Sequence, residues 1–420
     1  MMVFISIYGV IDGLFVSNFA GKTAFAAINL IMPFVMVLGG MGFMIGAGGT
    51  ALVAKTLGEG DGERANRYFS IMVTFTLILG VVLSVFGLIF LEPIARFLGA
   101  TEDMMDDCLK YGRIVIAFTF TFMLQNLFQN FLITAEKPNL ALIATVAAGV
   151  TNIILDAVFV GLFKLGVVGA AVATGIAQCV GAIIPFVFFV RSKSSVIRLT
   201  WARLEIRPIL KACANGSSEL MSNISSSLVS MVYNFQLLKY IGEDGISAYG
   251  VLMYVQFIFV AIYIGYVIGV APVIGYNFGA DNSTELKNIF RKSVVVMGCA
   301  GIILTLAALT LADPLAHIFV GYDAALKELT TKAFRLFSFS FLLAGLNIFA
   351  SSLFTALNNG AVSAIISFLR TLLFQLASVI LLPLVFDTDG IWYSISVAEI
   401  FAFIISLIFV MSYRKKYKYF

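Results

Sequence analysis

Apolar runs of the ~20 residues that carry a helix across a ~30 Å hydrocarbon layer recur along this chain, and they constrain its fold more than any other feature. They fall at about 1–17, 24–54, 68–90, 108–134, 140–162, 166–190, 208–238, 246–276, 288–312, 329–356, 361–386 and 390–411. Backbone polar groups in lipid must be satisfied within a helix or a closed barrel, and runs of this length predict helices. The expectation is an all-α membrane protein with twelve spans. Connectors such as Glu136-Lys137-Pro138-Asn139, Lys164-Leu165-Gly166, Asn358-Asn359-Gly360 and Asp387-Thr388-Asp389-Gly390 carry turn residues and leave no room for a soluble domain. Two soluble domains would fit 420 residues, but not with 60% hydrophobic and 12% charged residues and a mean hydropathy of +1.01.

Charge placement sets the orientation. Well over half of the 27 Lys and Arg residues fall in the connectors after the even-numbered spans and in the C-terminal tail Arg414-Lys415-Lys416-Tyr417-Lys418. The bias puts these segments, and both termini, on the cytoplasmic side of the cell (plasma or inner) membrane. Acidic residues such as Glu102, Asp103, Asp106 and Asp107 gather on the other side. Several chemistries are excluded. The four cysteines, Cys108, Cys179, Cys213 and Cys299, are too scattered for a disulfide framework or metal cluster. The single histidine, His317, rules out HExxH zinc chemistry and falls on an outer connector, and Gly49 to Thr56 lacks the glycine that a phosphate loop needs before its lysine. No nucleophile and base pair is evident, so the chain is expected to be no enzyme; the accompanying expectations are that it uses no cofactor, binds no nucleic acid and works as a monomer in the bilayer.

The halves repeat. A shift of 221 residues places Gly21 on Gly242, Ala27 on Ala248, Met32 on Met253, Gly48 on Gly269, Gly58 on Gly279, Pro93 on Pro314, Ala135 on Ala356 and Gly169 on Gly390. Each unit holds six spans, an even number, so the two copies enter the membrane from the same side, related by a pseudo-two-fold along the membrane normal. The predicted organisation is an N-lobe over 1–191, a basic cytoplasmic linker over 192–207 and a C-lobe over 208–420. By the same register the first span begins part-way through the bilayer, as if the chain started late or had been trimmed.

Four carboxylates fall inside spans: Asp12, Asp156, Glu219 and Glu399. A lone Asp at the bilayer centre costs about 2.5–3.5 kcal/mol on insertion scales, so each needs a reason. Asn152 and Asp156, four apart, share one helix face. Counted from the outer ends, Asp12, Asp156 and Thr174 lie in one layer, roughly 8–12 Å deep, with Asn152 one turn deeper. Two carboxylates, an amide oxygen and a hydroxyl form a hard-oxygen set suited to Na⁺ or to a shared proton. The shift puts Tyr233, Leu373, Ala377 and Ile395 at the matching positions. A scaffold requirement would be present in both copies, whereas this set occurs in one.

Glu219 follows Asn215-Gly216-Ser217-Ser218 in the seventh span and is a candidate for the substrate cavity, as, weakly, is Tyr233 because it replaces Asp12. Arg370 and Glu399 reach similar depth on the last two spans and are a candidate structural ion pair. Forty Phe and 15 Tyr supply faces able to hold a flat cationic compound. The Gly58 to Glu63 loop reads as a capped turn into the third span.

These residues resemble a known family, the multidrug and toxic compound extrusion (MATE) transporters, in the DinF-like and MepA-like branch. The resemblance covers essentially the whole chain. It is carried by Val10-Ile11-Asp12-Gly13-Leu14-Phe15-Val16, by Leu57-Gly58-Glu59-Gly60-Asp61, by Asn152 with Asp156, and by Gly269-Val270-Ala271-Pro272-Val273-Ile274-Gly275-Tyr276-Asn277-Phe278-Gly279-Ala280, where family members often have Gln in place of Ala271. It implies a twelve-helix, two-lobe antiporter that expels amphipathic, often cationic compounds in exchange for H⁺ or Na⁺ by alternating access. It also implies coupling at Asp12, Asn152, Asp156 and Thr174. Another branch couples through C-lobe acids, and Glu219 lies in the helix used there. The alternative function is a flippase for lipid-linked glycans, which would need several central Arg residues to hold pyrophosphate; Arg370 is the one mid-membrane Arg.

Overall fold

The computed structural model describes residues 2–5, 22–192 and 195–420. Among these no strand occurs, and the chain is almost wholly helical. After a helical stub at residues 2–5 (α1) come α2 (Lys22–Gly58), α3 (Gly62–Phe97), α4 (Glu102–Ala117), α5 (Thr119–Thr134), α6 (Pro138–Asp156), a π-helical segment (Ala157–Leu162) and α7 (Gly166–Arg191). The second half runs α8 (Ile206–Tyr240), α9 (Glu243–Gly279), α10 (Ser283–Val320), α11 (Ala324–Ser338), α12 (Ser340–Ala356), α13 (Gly360–Phe368), a second π-helical segment (Leu369–Leu373), α14 (Phe374–Leu381) and α15 (Pro383–Tyr417). Eight of these helices are long and apolar enough to cross a bilayer, and the bent pairs α4–α5 (50°) and α11–α12 (43°) bring the spans to ten among the described residues. The 35-residue α8 has the length for an eleventh, but its Asn215-to-Glu219 run and the serines at 222 and 225–227 dilute its apolar character. The expected first span, with Asp12, lies outside the described residues.

The chain divides into two compact units, Met1–Leu220 and Met221–Phe420, with the division inside α8. In the first unit Ile209 and Ala212 of α8 join a buried core with Phe69, Met72, Leu127, Phe128, Phe131 and Phe189. The contact is close because Gly48 and Gly216 leave the backbones bare. A Cβ on Gly48 would sit 1.9 Å from the Ala212 carbonyl oxygen, and one on Gly216 the same distance from that of Met44. In the second unit Val229, Tyr233 and Leu237 of α8 pack with Tyr249, Phe334, Phe341 and Trp392.

The basic connector is docked rather than free. Ile197 is fully buried, the Arg198 amide donates to Asn66 Oδ1 (2.8 Å), and the Thr200 amide donates to Ser70 Oγ (2.8 Å). Both acceptors lie in the first turns of α3, where Arg67 also faces Glu205 at 3.8 Å.

The repeat governs local geometry as well as sequence. Asp61 caps α3 through the Arg64 amide, and Asn282, its counterpart at a shift of 221, caps α10 through the Glu285 amide. Gly60 and Asp281 both have positive φ, as do Gly166 and Asp387. The two bends also match, at Phe118 and Phe339. The left-handed Asp387 and the adjacent Phe386 interrupt α15 near its start, in the stretch where the sequence predicts the turn between the last two spans.

Candidate functional site

In the first unit α6 is the element that carries the polar anomaly. Its apolar sequence Pro138-to-Asp156 starts with proline in the first turn, where a missing amide costs nothing. Asn152 and Asp156 share one of its faces and are 2% and 0% exposed. Asp156 is the last α-helical residue before the chain widens into the π-helical Ala157–Leu162. Such segments insert an extra residue into the turn and are frequent at functional sites. Among the described residues the Asn152 Nδ2 group is buried without a hydrogen-bond acceptor, and a half-turn of the amide would present Oδ1 there instead.

Thr174 lies on α7, which packs against α6, and its side chain is half-buried. The neighbouring Gly175 brings α7 against the Phe118 ring, 2.4 Å from where a Cβ would stand, and Gly181 does the same at Gln125. The structure thus places Asn152 and Asp156 on one buried face and Thr174 on the adjoining helix. Asp12 lies outside the described residues.

A second polar group in this unit escaped the sequence reading. Gln125, Asn126, Gln129 and Asn130 of α5 are all buried. They form two amide pairs at i, i+4 inside an apolar span, the same signal that drew attention to Asn152 and Asp156. Gln129 Nε2 reaches Thr145 Oγ1 of α6 (3.4 Å) and Asn130 Nδ2 reaches the Asn126 carbonyl (2.9 Å). Asn126 Nδ2, Gln178 Oε1 and Thr50 Oγ1 are buried with no hydrogen-bond partner among the described residues. Among the described residues this buried group is made of neutral amides and hydroxyls and holds spare hydrogen-bonding capacity.

The second unit is built differently. Arg370, inside its π-helical segment, donates from Nε to both Glu399 oxygens (2.9 and 3.0 Å) and from Nη2 to Oε1 (2.8 Å). Asn347 Nδ2 donates to Glu399 Oε2 (2.7 Å) and to the Glu399 carbonyl (3.0 Å). Glu399 is 2% exposed, so its charge is held by a guanidinium and an amide in place of water. The shift of 221 puts Gly149, Gln178 and Asn126 at the positions of Arg370, Glu399 and Asn347. One amide is common to both units, and the second unit adds a charge pair to it.

Of the cavity candidates, Glu219 is half-buried on α8 among small polar neighbours. Tyr233 is 1% exposed, its ring stacked on that of Tyr249 with centroids 5.2 Å apart and planes within 2°, which leaves that face occupied by a neighbouring ring. Among the described residues no three His, Cys, Asp or Glu side chains converge as a metal site.

Comparison with known proteins finds relatives and folds that match along nearly the whole chain. A multidrug export protein MepA of Staphylococcus saprophyticus is 26% identical over 419 residues, 98% of this chain and 90% of its own length. A MepA of Staphylococcus aureus (strain MRSA252) is 24% identical over 412 residues, with the same shares. The fold matches a crystal structure of a MATE protein in complex with MaL6 (TM-score 0.94, 21% identity, 100% of this chain and 95% of that one). It also matches an outward-facing multidrug resistance MATE family transporter of the MOP superfamily (TM-score 0.93, 22% identity, 100% and 94%). The MatE family profile matches residues 1–158 and 220–380, the better part of both units, and the chain belongs to the MatE family of membrane transporters.

Proposed function

We propose that this transporter is a multidrug efflux antiporter, exporting amphipathic, often cationic compounds in exchange for H⁺ or Na⁺. The observation that carries the proposal is the fully buried Asp156, with Asn152 one turn before it, at the start of a π-helical segment in one unit only. An ionised carboxylate in so dry a place is tolerable when a proton or metal ion neutralises it. A group whose charge depends on a bound cation gives the two faces of the membrane a difference to act on. Asp12, Asn152 and Thr174 complete the oxygen set; cation binding there and alternate opening of the two lobes to either face convert the ion gradient into export. The similarity to multidrug export proteins over nearly the full length supports the substrate class, and Glu219 is the residue proposed to meet the substrate's positive end.

Glycan flipping is disfavoured by the C-lobe. The guanidinium of Arg370 is already matched by Glu399, which leaves little positive charge for a pyrophosphate.

The test is accumulation of a cationic dye in cells carrying the transporter, with and without an imposed pH or Na⁺ gradient. Wild type is expected to lower dye accumulation in a gradient-dependent way. Asp156→Asn and Asp12→Asn should each abolish the effect at normal membrane abundance. Full activity in both variants would refute the coupling assignment.

A further inference from the structure

Residues 417–420 are packed into the second unit. At the end of α15, Lys418 adopts φ +54, a left-handed conformation that favours glycine, and its amide closes on the Arg414 carbonyl (2.9 Å). The turn sends Tyr419 back into the protein, where it is fully buried and donates to the Val410 carbonyl (2.7 Å). Its ring lies 5.2 Å from that of Phe290 on α10, Phe420 packs on the same ring at 6.0 Å, and Tyr417 meets Phe278 at 5.6 Å.

This clasp fixes a row of cations against α10. Lys287, Arg414, Lys415 and Lys418, with Phe420, line an open cavity of about 220 Å³. Next to Lys287 on α10, Asn288, Arg291, Lys292, Val295 and Val296 line a second of about 370 Å³. Among the described residues no carboxylate lies within ion-pair distance of Lys287, Arg291, Lys292, Arg414 or Lys415, and Lys418 has Asp281 only at 4.0 Å. Glu285, the nearest acid on α10, is engaged by Asn288 Nδ2 (3.2 and 3.3 Å). Along α10 the basic positions 287, 291 and 292 give way to exposed apolar ones, Val295 (56%), Val296 (43%), Ile302 (53%) and Ile303 (63%). The order is phosphate-binding cations first and acyl-chain contacts next, as a lipid standing in the leaflet would meet them.

We propose that the α10–tail groove binds an anionic phospholipid of the leaflet it faces, with the headgroup phosphate held by Lys287, Arg414, Lys415 and Lys418 and an acyl chain laid along Val295 and Val296. Basic pockets beside membrane helices on the cytoplasmic side are the recurring form of such recognition. The choice of lysine over glycine at the left-handed position 418 has the same explanation, because that position supplies one of the four cations.

Native mass spectrometry of the purified full-length protein, titrated with phosphatidylglycerol, with phosphatidylcholine and separately with inorganic phosphate, tests the site. Wild type should retain phosphatidylglycerol at least about tenfold more tightly than phosphatidylcholine. The combined Lys287→Gln, Arg414→Gln and Lys415→Gln variant should lose about tenfold in that affinity with the phosphatidylcholine value unchanged. Lys418→Gly removes one charge while relieving the backbone, so it should lower phosphatidylglycerol retention without lowering the unfolding temperature. Equal retention of the two lipids, or unchanged phosphatidylglycerol affinity in both variants, would overturn the proposal. Saturable binding of inorganic phosphate without any preference between the lipids would overturn the lipid assignment too.

Discussion

At the scale of residues, the two units solve the problem of buried polarity in opposite ways. Asp156 and Asn152 are buried on one face of α6, whereas Glu399 is saturated by Arg370 and Asn347. A self-neutralised pair is held in place by what surrounds it, and removing one partner leaves the other charged and dry, at a cost of about 3–5 kcal/mol. Glu399→Ala should therefore lower the unfolding temperature sharply. The apolar double replacement Arg370→Met with Glu399→Leu should recover most of the loss, and Asp156→Asn should leave the unfolding temperature close to wild type. Thermal unfolding in detergent checks all three. Much of this layer was legible in the sequence, because a carboxylate or an amide in an apolar run announces itself. The α5 amides carried the same signal at the same spacing and went unread, since no charge accompanied them. The Arg370–Glu399 pair was legible in the similar depth of its members on the last two spans, and the structure joins them; the contribution of Asn347 was not, because no charge marks it.

Among the elements, the repeat predicts more than identity of residues. Caps at Asp61 and Asn282, left-handed residues at Gly60 and Asp281 and at Gly166 and Asp387, and bends at Phe118 and Phe339 all recur in register. The bends could not be read from either copy alone, because neither Gly nor Pro marks them. The π-helical segments depart from the register: Ala157–Leu162 follows Asp156, while Leu369–Leu373 carries Arg370 within it. Glycines in register need not do the same job. Gly48 faces the Ala212 backbone at a distance a Cβ cannot occupy, while Gly269, its counterpart, has open space around it. Gly48→Ala should cost about 1–3 kcal/mol by forcing two backbones apart. Gly269→Ala should be neutral or stabilising by up to about 1 kcal/mol, the helix preference for Ala, and unfolding temperatures of the pair would separate the two outcomes. The tail clasp is insensitive to physiological pH. Burial, and then the neighbouring Tyr417, push the Tyr419 hydroxyl above the ordinary tyrosine value of 10.0. Its folded-state pKa is raised, so its contribution is complete below about pH 10 and fades as pH rises further. Protease cleavage of the tail should accelerate only in that alkaline range.

For the whole molecule, length and apolarity were enough to expect a bundle of spans, the repeat divided it into two lobes, and the fold is that of MATE transporters. Two features resisted that reading. α8 reads as an apolar run over 208–238, yet the helix runs from Ile206 to Tyr240 and its Asn215-to-Glu219 stretch dilutes its apolar character. The Arg198–Thr200 stretch reads as a basic linker, yet its amides are spoken for by Asn66 and Ser70, a pairing that no local pattern encodes. The central claim is that the α6 carboxylate couples export to an inward cation, and it is tested most directly in proteoliposomes containing only this protein. With an imposed pH or Na⁺ gradient and a fluorescent cationic substrate, the wild type should move substrate against its own gradient and release it when the ion gradient is collapsed. Asp156→Asn should still bind substrate and exchange it at equilibrium but fail to accumulate it. Gradient-driven accumulation by Asp156→Asn at the wild-type rate would contradict the account.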